Sequence, residues 1–210
     1  MAHYSRLAYW DQRYREEKEP FEWYQNYQAI QVYCQENFLP TNKILNVGAG
    51  NSSLSEQMYE DGFRDITNID ISTVVVEQMI ERTQSMPGMT WQIMDCRYME
   101  FEDETFDAVV DKGCLDTLLT GEASEDNANK FCSHVARILK PGGVYMCVSV
   151  GIPSERMPIL GNEDFSWSVE FETLSKPASS EAVVDYDPVE KPTSCHYLYI
   201  CKTGGDDNEG

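Results

Sequence analysis

The sequence is poor in positive charge. Its 210 residues include 16 lysines and arginines against 36 aspartates and glutamates, which gives a formal net charge of −20 at pH 7. Because a nucleic-acid backbone is a dense line of negative charge, this balance argues against DNA or RNA as a substrate. It favours a basic partner, unless the excess of acid serves only solubility.

Patterned metal ligands, paired cysteines and long apolar runs are also missing. The three histidines (His3, His134, His196) show no ligand spacing, and the seven cysteines include no C-x-x-C pair. Scattered cysteines, odd in number and without a secretory leader, predict reduced thiols in a cytoplasmic protein, with no metal site. No run approaches the roughly 20 apolar residues of a membrane-spanning helix, so we expect no membrane segment.

From Lys43 onward, short apolar runs alternate with amphipathic stretches. The runs predict strands at 43–47, 66–70, 90–95, 106–111 and 143–149, and the stretches between them predict helices at 52–61, 72–85 and 124–139. This alternation predicts an α/β fold with a mostly parallel sheet and helices on both faces.

The two ends of the chain follow other patterns. Residues 4–17 and 24–38 predict two helices separated by Pro20, and residues 164–174 and 195–203 predict two strands that pair antiparallel at the sheet edge. With 41% hydrophobic residues, the chain is expected to form one core and a single domain.

The stretch ILNVGAGNSSLSEQMYEDG, residues 44–62, joins a predicted strand to a predicted helix through a glycine-rich turn. Gly48 and Gly50 let the backbone approach a ligand at the carboxyl end of a strand, where parallel sheets bind their ligands. Asp70 ends the next predicted strand, where an acid accepts hydrogen bonds from two ribose hydroxyls. The pattern therefore predicts a nucleoside cofactor.

The missing third glycine of a dinucleotide fingerprint narrows that prediction. Ser53 stands in its place, which disfavours NAD. S-adenosylmethionine has a ribose but no phosphate. It therefore suits a site that has a close glycine turn and an acidic residue but lacks a strong binding site for an anion. Asp95 would then accept a hydrogen bond from the adenine amino group, with the Cys96 amide at the ring, although a helix cap is an equally good interpretation of Asp95.

Three stretches together resemble the seven-β-strand S-adenosylmethionine-dependent methyltransferases. They are YWDQRY at 9–14, NVGAGNSSLSEQMYEDG at 46–62 and DKGCLDTLL at 111–119. More narrowly, they are similar to the group that contains the elongation factor 1A lysine methyltransferases and the mitochondrial citrate synthase lysine methyltransferase. The resemblance implies a Rossmann-like, doubly wound sheet of seven strands, mostly parallel, with an antiparallel C-terminal edge hairpin.

The resemblance also implies an organisation of the chain. One methyltransferase domain covers residues 1–203, with a helical lid at 1–40, a cofactor-binding core at 41–150 and a hairpin region at 151–203. The remaining residues, 204–210, contain no large apolar side chain and predict a disordered acidic tail.

Individual residues gain roles from the resemblance. Trp10 and Tyr14 would lie against the methionine end of the cofactor with Trp23 nearby, since aromatic faces attract a sulfonium. By their spacing alone, Trp10 and Tyr14 are better explained as one apolar helix face, and only the match of the motif favours a cofactor contact. The remaining cofactor positions are Gly48 at the methionine part, Asp70 at the ribose, Ile71 on the adenine, and Asp95 with Cys96 at the adenine edge.

Chemistry is assigned less fully than binding. Lys112 would border the methyl-transfer opening by the resemblance, and is an exposed loop lysine by itself. Asp111 and Asp116 are the nearest loop carboxylates that could orient an amine, and no catalytic residue is assigned. The chain departs from the broad family at Asn46, where an acid is common, and at Asn51-Ser52, where a further glycine is common.

The sequence thus predicts a cytoplasmic protein-lysine N-methyltransferase that acts on a basic protein such as a translation elongation factor. The acidic segment 163–190 would help dock that protein, or is a solvated loop. No NPPY-type motif follows the fourth strand, which agrees with the charge in arguing against nucleic-acid amines. A small-molecule methyltransferase and a catalytically silent cofactor-binding partner subunit remain as alternatives.

Overall fold

A seven-stranded mixed sheet forms the centre of the computed structural model, which describes residues 4–177, 183–184 and 195–205. The strands of the chain are β1 (Glu22–Trp23), β2 (Lys43–Val47), β3 (Asp65–Asp70), β4 (Met89–Ile93), β5 (Phe106–Lys112), β6 (Leu139–Ser149), β7 (Trp167–Ser175), β8 (Val183–Val184) and β9 (Cys195–Thr203). The order in the main sheet is β4-β3-β2-β5-β6-β9-β7. Strands β2 to β6 pair parallel, and β9 pairs antiparallel with both β6 and β7.

The predicted fold class is therefore confirmed. The order reverses direction next to β2, because the chain runs outward through β3 and β4 and then returns to β5 on the other side. Such a reversal opens a crevice at the carboxyl ends of the strands, where open α/β sheets bind ligands. The short strands β1 and β8 pair parallel with each other outside the main sheet.

Seven helices occur among the described residues and cover both faces of the sheet. They are α1 (Leu7–Glu16), α2 (Gln31–Asn37), α3 (Leu54–Glu60), α4 (Thr73–Arg82), α5 (Cys114–Leu118), α6 (Ser124–Ile138) and α7 (Pro153–Leu160). Successive residues of β2 enter different cores: Ile44 belongs to the same core as Met79 of α4, whereas Leu45 belongs to the same core as Phe131 of α6. The sheet is thus buried on both sides, as an apolar parallel strand requires. No helix in the described part of the chain is long and apolar enough to cross a membrane.

The structure differs from the sequence prediction around residues 22–38. A single helix over 24–38 is wrong, because Tyr24 adopts a left-handed φ of 61° and a 3-10 turn occupies Tyr27–Ala29 before α2 begins. The Asn26 side chain caps that turn by accepting a hydrogen bond from the Ala29 amide. A polar cap and an irregular backbone therefore interrupt the apolar periodicity that predicted one helix.

Two further boundaries move for similar reasons. Strand β4 ends at Ile93 rather than 95, because Asp95 caps a 3-10 turn at Cys96–Tyr98. Strand β7 begins at Trp167 rather than 164, after a 3-10 turn at Glu163–Phe165. Residues 178–182 and 185–194 of the predicted hairpin region, and 206–210 of the predicted tail, lie outside the described residues, and the division at residues 40, 150 and 203 stays a prediction.

Candidate functional site

A pocket lies at the carboxyl ends of strands β2 to β5, beneath the N-terminal residues 4–24. All nine residues that the sequence assigns to the cofactor line it: Trp10, Tyr14, Trp23, Gly48, Asp70, Ile71, Asp95, Cys96 and Lys112. The structure thus brings together residues that lie up to about 100 positions apart in the chain.

The glycine-rich turn after β2 forms the floor of the pocket. Gly48 and Gly50 have φ values of 60° and 55°, in the left-handed region that side chains disfavour. A β-carbon on Gly48 would lie 2.8 Å from Sγ of Cys114, and one on Gly50 would lie 2.7 Å from the hydroxyl oxygen of Tyr14. Both positions require glycine for conformation and for space, so the turn is held closely between α5 and α1.

Asp70 is buried at the end of β3. Its Oδ2 accepts a hydrogen bond from the Gly50 amide and its Oδ1 accepts one from the Ser72 amide, each at 2.9 Å. An ionised carboxylate has about four acceptor sites, so each oxygen keeps room for one further donor. Burial raises the pKa of Asp70 to about 6, against the opposing effect of the backbone amides. The group is therefore mainly ionised at pH 7 and suited to receive two hydroxyls.

Asp95 has the capping role that the sequence offered as its second interpretation. One oxygen accepts a hydrogen bond from the Arg97 amide at 3.0 Å, and the carboxylate pairs with the Arg97 guanidinium at 2.6 Å. Burial by itself would raise the pKa of Asp95, but the hydrogen bonds from Arg97 outweigh it and hold the pKa below its usual value. The carboxylate lines the pocket as well, so capping and ligand binding do not exclude each other here.

Lys112 is a buried strand residue rather than an exposed loop lysine. Its Nζ donates to Oε2 of Glu22 at 2.7 Å and to the Trp23 carbonyl at 3.1 Å. The same glutamate accepts hydrogen bonds from the Ser52 hydroxyl and the Ser53 amide, both at 2.7 Å. Glu22 therefore ties the N-terminal segment to both the glycine-rich turn and β5.

Sequence reasoning missed Glu22 and Asp11, although each stands beside a residue that it named. Asp11 lies within YWDQRY, and its Oδ1 accepts a hydrogen bond from the Ser72 hydroxyl at 2.6 Å. Glu22 lies within PFEWY next to Trp23. A charged residue inside an aromatic motif that covers a pocket was the available signal, because a buried carboxylate needs a partner.

The departures from the broad family also have structural roles. The Asn51 side-chain amide donates to the Glu17 and Glu19 carbonyls at 3.3 and 2.7 Å, which holds the chain that follows α1. Asn46 donates to the Ser55 hydroxyl at 2.8 Å in the buried layer beneath the turn. At these positions the chain uses amide hydrogen bonds where an acid and a glycine are common.

Aromatic side chains form the cover of the pocket. The Trp10 and Tyr14 rings stack with centroids 5.8 Å apart, and the Trp10 and Trp23 rings meet edge to face at 6.2 Å. The Arg13 guanidinium lies 5.1 Å from the Trp23 ring. Trp10 and Tyr14 are thus one apolar helix face and a pocket wall at once, so the two interpretations of their spacing describe the same arrangement.

The two carboxylates considered for amine orientation are not loop residues, which corrects that expectation. Asp111 lies within β5, is fully buried, and accepts hydrogen bonds from the Cys114 and Leu115 amides at 2.7 and 3.1 Å. Asp116 lies in α5 and lines the pocket, but its oxygens bind the Arg156 guanidinium at 2.8 Å and the Val150 amide at 3.0 Å. Both groups are committed to the fold, and neither is placed to take a proton from a substrate.

The chain is similar to known methyltransferases. A family model described as "Methyltransferase domain" matches residues 45–147. EEF1A lysine methyltransferase 4 of Mus musculus is 32% identical over 182 residues, which cover 82% of this chain and 71% of that protein. The eEF1A lysine and N-terminal methyltransferase of Xenopus laevis is 42% identical over 146 residues, which cover 68% of this chain and only 21% of that longer protein.

A solved structure shares the fold. Phosphoethanolamine N-methyltransferase 2 of Haemonchus contortus, in complex with S-adenosyl-L-methionine, matches with a TM-score of 0.59 at 15% identity, covering 85% of this chain and 52% of that one. The residues matched by the family model contain the glycine-rich turn, Asp70, Asp95 and Lys112. The similarity to known proteins and the pocket therefore fall on the same part of the sheet.

Proposed function

The chain belongs to the S-adenosylmethionine-dependent methyltransferases, and from that premise we propose that it methylates lysine side chains of a protein substrate, a translation elongation factor of the 1A type. One observation carries this proposal: the similarity to EEF1A lysine methyltransferase 4, at 32% identity over 82% of this chain. That similarity covers a larger share of the chain than residues 45–147, which the family model matches, so it is not confined to the part of the sheet shared with methyltransferases in general. Because the fold alone does not fix the substrate, this wider similarity supports the choice of substrate.

The residues present fit S-adenosylmethionine. Asp70 is ionised and keeps one acceptor position on each oxygen, which suits the two hydroxyls of a ribose. The glycine-rich turn leaves no side chain between the backbone and a ligand. We propose that Asp70 holds the ribose, that Ile71, Asp95 and Cys96 surround the adenine, and that the glycine-rich turn with Trp10, Tyr14, Trp23 and Lys112 surrounds the methionine part.

When bound, S-adenosylmethionine supplies a methyl group on a positively charged sulfur. The chain provides three things for its transfer to an amine: alignment, exclusion of water and a neutral acceptor. Residues 4–24 exclude water by covering the pocket with Trp10, Tyr14 and Trp23. The pocket-lining thiol of Cys114 stays neutral, because its hydrogen bond with Cys96 and its burial raise its pKa. This thiol therefore does not compete with the amine for the methyl group.

Charge supports a basic protein as acceptor. The net charge of −20 favours encounter with a positive surface and disfavours nucleic acid. The edge strand β7 exposes Glu170 and Glu172 in the described half of the acidic segment, whereas Glu181, Asp185, Asp187 and Glu190 lie outside the described residues. We propose the cytoplasm as the compartment, since all seven cysteines are free thiols, as a reducing environment keeps them.

The test is methyl transfer to purified elongation factor 1A with radiolabelled S-adenosylmethionine, followed by peptide mass spectrometry to map the label. We expect methylation of one or a few lysines, and loss of the label when the mapped lysine is changed to arginine. Transfer to the amino terminus of the factor would confirm that the substrate is a protein, but would show that the acceptor is not a lysine side chain. Label that appears only in small molecules would refute the proposal.

A further inference from the structure

Tyr24 has an unusual backbone conformation for a buried tyrosine. Its φ is 61°, in the left-handed region, and its side chain is only 2% exposed while lining the pocket. A residue other than glycine adopts this conformation only where its surroundings impose it, and such residues are concentrated at functional sites. The conformation therefore points to a functional role for Tyr24.

Contacts on several sides fix the Tyr24 ring. It packs against Gly113, where a β-carbon would lie 3.1 Å from the ring carbon Cε2, and the His196 ring lies 5.3 Å away. On one side, Glu22 binds Lys112. On the other, the Gln25 amide donates to the Ser175 carbonyl at 2.8 Å. The ring is thus held between β5 and the C-terminal strands.

The carboxylate of Asp116 lines the same pocket as Tyr24. Its hydrogen bonds come from the Ser149 hydroxyl, the Val150 amide and the Arg156 guanidinium, which balances its charge. Burial, followed by the charge of Asp116, raises the pKa of Tyr24 well above its ordinary value. The Tyr24 hydroxyl therefore stays protonated, and its oxygen can accept a hydrogen bond.

The sheet places Tyr24 at the far end of the pocket from the adenine site. Asp70 ends β3 and Asp95 follows β4. Gly113 follows β5, which lies on the other side of β2, and the Tyr24 ring packs against Gly113. Neighbouring strands lie about 4.8 Å apart, so the pocket spans roughly 14 Å from β4 to β5. A ligand with its nucleoside over β3 and β4 extends its other end toward Tyr24.

We propose that the Tyr24 hydroxyl accepts a hydrogen bond from the acceptor amine, and that this contact directs the lone pair of that nitrogen at the methyl group. This inference rests on the proposed function. The acceptor ammonium first releases one proton to water. The C–N bond then forms as the C–S bond breaks, with the bonding pair left on sulfur. Tyr24 neither gives nor takes a proton, and acts by orientation alone.

The experiment compares Tyr24→Phe with Tyr27→Phe. Tyr27 is a matched control, because it is also buried in the N-terminal part, and its hydroxyl donates to Asp61 at 2.6 Å. It is not among the pocket-lining residues. Each variant removes one hydroxyl oxygen from a buried tyrosine of the N-terminal part, and of the two only Tyr24 lines the pocket.

For Tyr24→Phe we expect kcat to fall about 10- to 100-fold, the loss of one hydrogen bond to a charged or reacting group. Calorimetric affinity for S-adenosylmethionine and the melting temperature should match those of Tyr27→Phe, which should keep the wild-type kcat. This separation of kcat from binding and stability is what a merely structural hydroxyl would not produce.

Each other outcome is decisive. A Tyr24→Phe protein with unchanged kcat overturns this inference and leaves the proposed function standing. Weaker cofactor binding or a lower melting temperature than Tyr27→Phe assigns the hydroxyl to the fold and overturns it too. If the wild-type protein methylates an amine other than the elongation factor, only the proposed substrate fails, and the two variants are compared on that amine. A wild-type protein that methylates no amine overturns both proposals.

Discussion

The pocket has two walls, and they are built differently. One wall consists of the carboxyl ends of β2 to β5, which carry the glycine-rich turn, Asp70, Asp95 and Lys112. The other wall is the N-terminal cover, residues 4–24, which has little regular pairing of its own beyond α1 and is held by polar contacts to distant parts of the chain. The strand-end wall is rigid because the sheet fixes it, whereas the cover depends on a few hydrogen bonds and ring contacts.

The largest expected effect sharpens the role of the strand-end wall. Asp70→Asn should weaken S-adenosylmethionine binding about 1000-fold, because two hydrogen bonds to a charged acceptor are each worth about 1.5–3 kcal/mol. The amide keeps the size of the side chain but turns an acceptor into a donor that faces backbone N–H groups. Isothermal titration calorimetry measures the affinity directly.

The matched control is Asp111→Asn, at a buried aspartate one residue before the end of the nearby strand β5. Asp111 faces the Cys114 and Leu115 amides and the Tyr145 hydroxyl rather than the pocket. We expect this variant to melt at a lower temperature and to bind the cofactor as the wild type does. Equal loss of affinity in both variants would mean that position at a strand end, rather than contact with the ligand, accounts for the effect.

The next effect tests how the cover is attached. Glu22→Gln should lower the free energy of unfolding by about 2–3 kcal/mol, because it leaves the Lys112 ammonium, 4% exposed, without its ionic partner. The value lies below the range for a fully buried pair, since the Glu22 side chain is 20% exposed. Urea unfolding measures it. Glu170→Gln, which breaks an exposed pair with Lys202, should change stability by less than about 0.5 kcal/mol. Similar losses in the two variants would show that the cover is not anchored by Glu22.

The strand-end wall could be predicted from the sequence, because its residues follow apolar runs at regular places. The positions of Gly48 and Asp70 can be interpreted within their own strand-turn-helix units. The parallel arrangement of the strands then brings these units together. Asp111 misled the prediction for the same local reason, since a one-residue change along β5 turns a side chain from the pocket edge to the core. The alternation of side chains between the two faces of β5 could not be read reliably at Asp111, because the sequence did not fix where that strand ends.

The cover could be predicted only through resemblance. Trp10, Tyr14 and Trp23 have no local pattern that separates a pocket wall from an apolar helix face. Their partners are far away in the sequence, as with Glu22 and Lys112, which are 90 positions apart. The ring contacts of Tyr24 with Gly113 and His196 are likewise remote in sequence, and the apolar periodicity of residues 24–38 gave no sign of its positive φ.

Lowering the pH should have opposite effects on cofactor affinity and on the contribution of Asp70 to the stability of the fold. Burial raises its folded pKa to about 6, above the unfolded value, so its contribution to stability is fully present below the unfolded pKa and is lost as pH rises through about 6. If Asp70 holds the ribose as proposed, cofactor binding needs the ionised carboxylate and follows the opposite direction. Between pH 7 and pH 5 we expect affinity to fall roughly tenfold. Calorimetry at both pH values tests this, and an equal fall in Asp70→Asn would assign the pH dependence to another group.

The smallest effect concerns a single side chain that joins the two walls. Asn51→Gly restores the glycine that is common at this position and removes the hydrogen bonds to the Glu17 and Glu19 carbonyls. Cofactor affinity should weaken only about threefold, because the ligand-binding groups remain. Local opening of the cover should increase roughly tenfold, since the two neutral hydrogen bonds together contribute about 1.4 kcal/mol.

Lys18 offers a direct measure of that opening, because it is exposed and lies between the two carbonyls that Asn51 binds. Trypsin should cleave after Lys18 about tenfold faster in Asn51→Gly than in the wild type, and saturating S-adenosylmethionine should slow the cleavage in both. Asn42→Gly is the control: it introduces glycine in a loop where the Asn42 side chain accepts a hydrogen bond from the Leu39 amide, away from the cover. If the two variants are cleaved at Lys18 at the same rate, Asn51 does not hold the cover, and other contacts, such as those of Glu22, Asp11 and Gln78, join it to the rest of the chain.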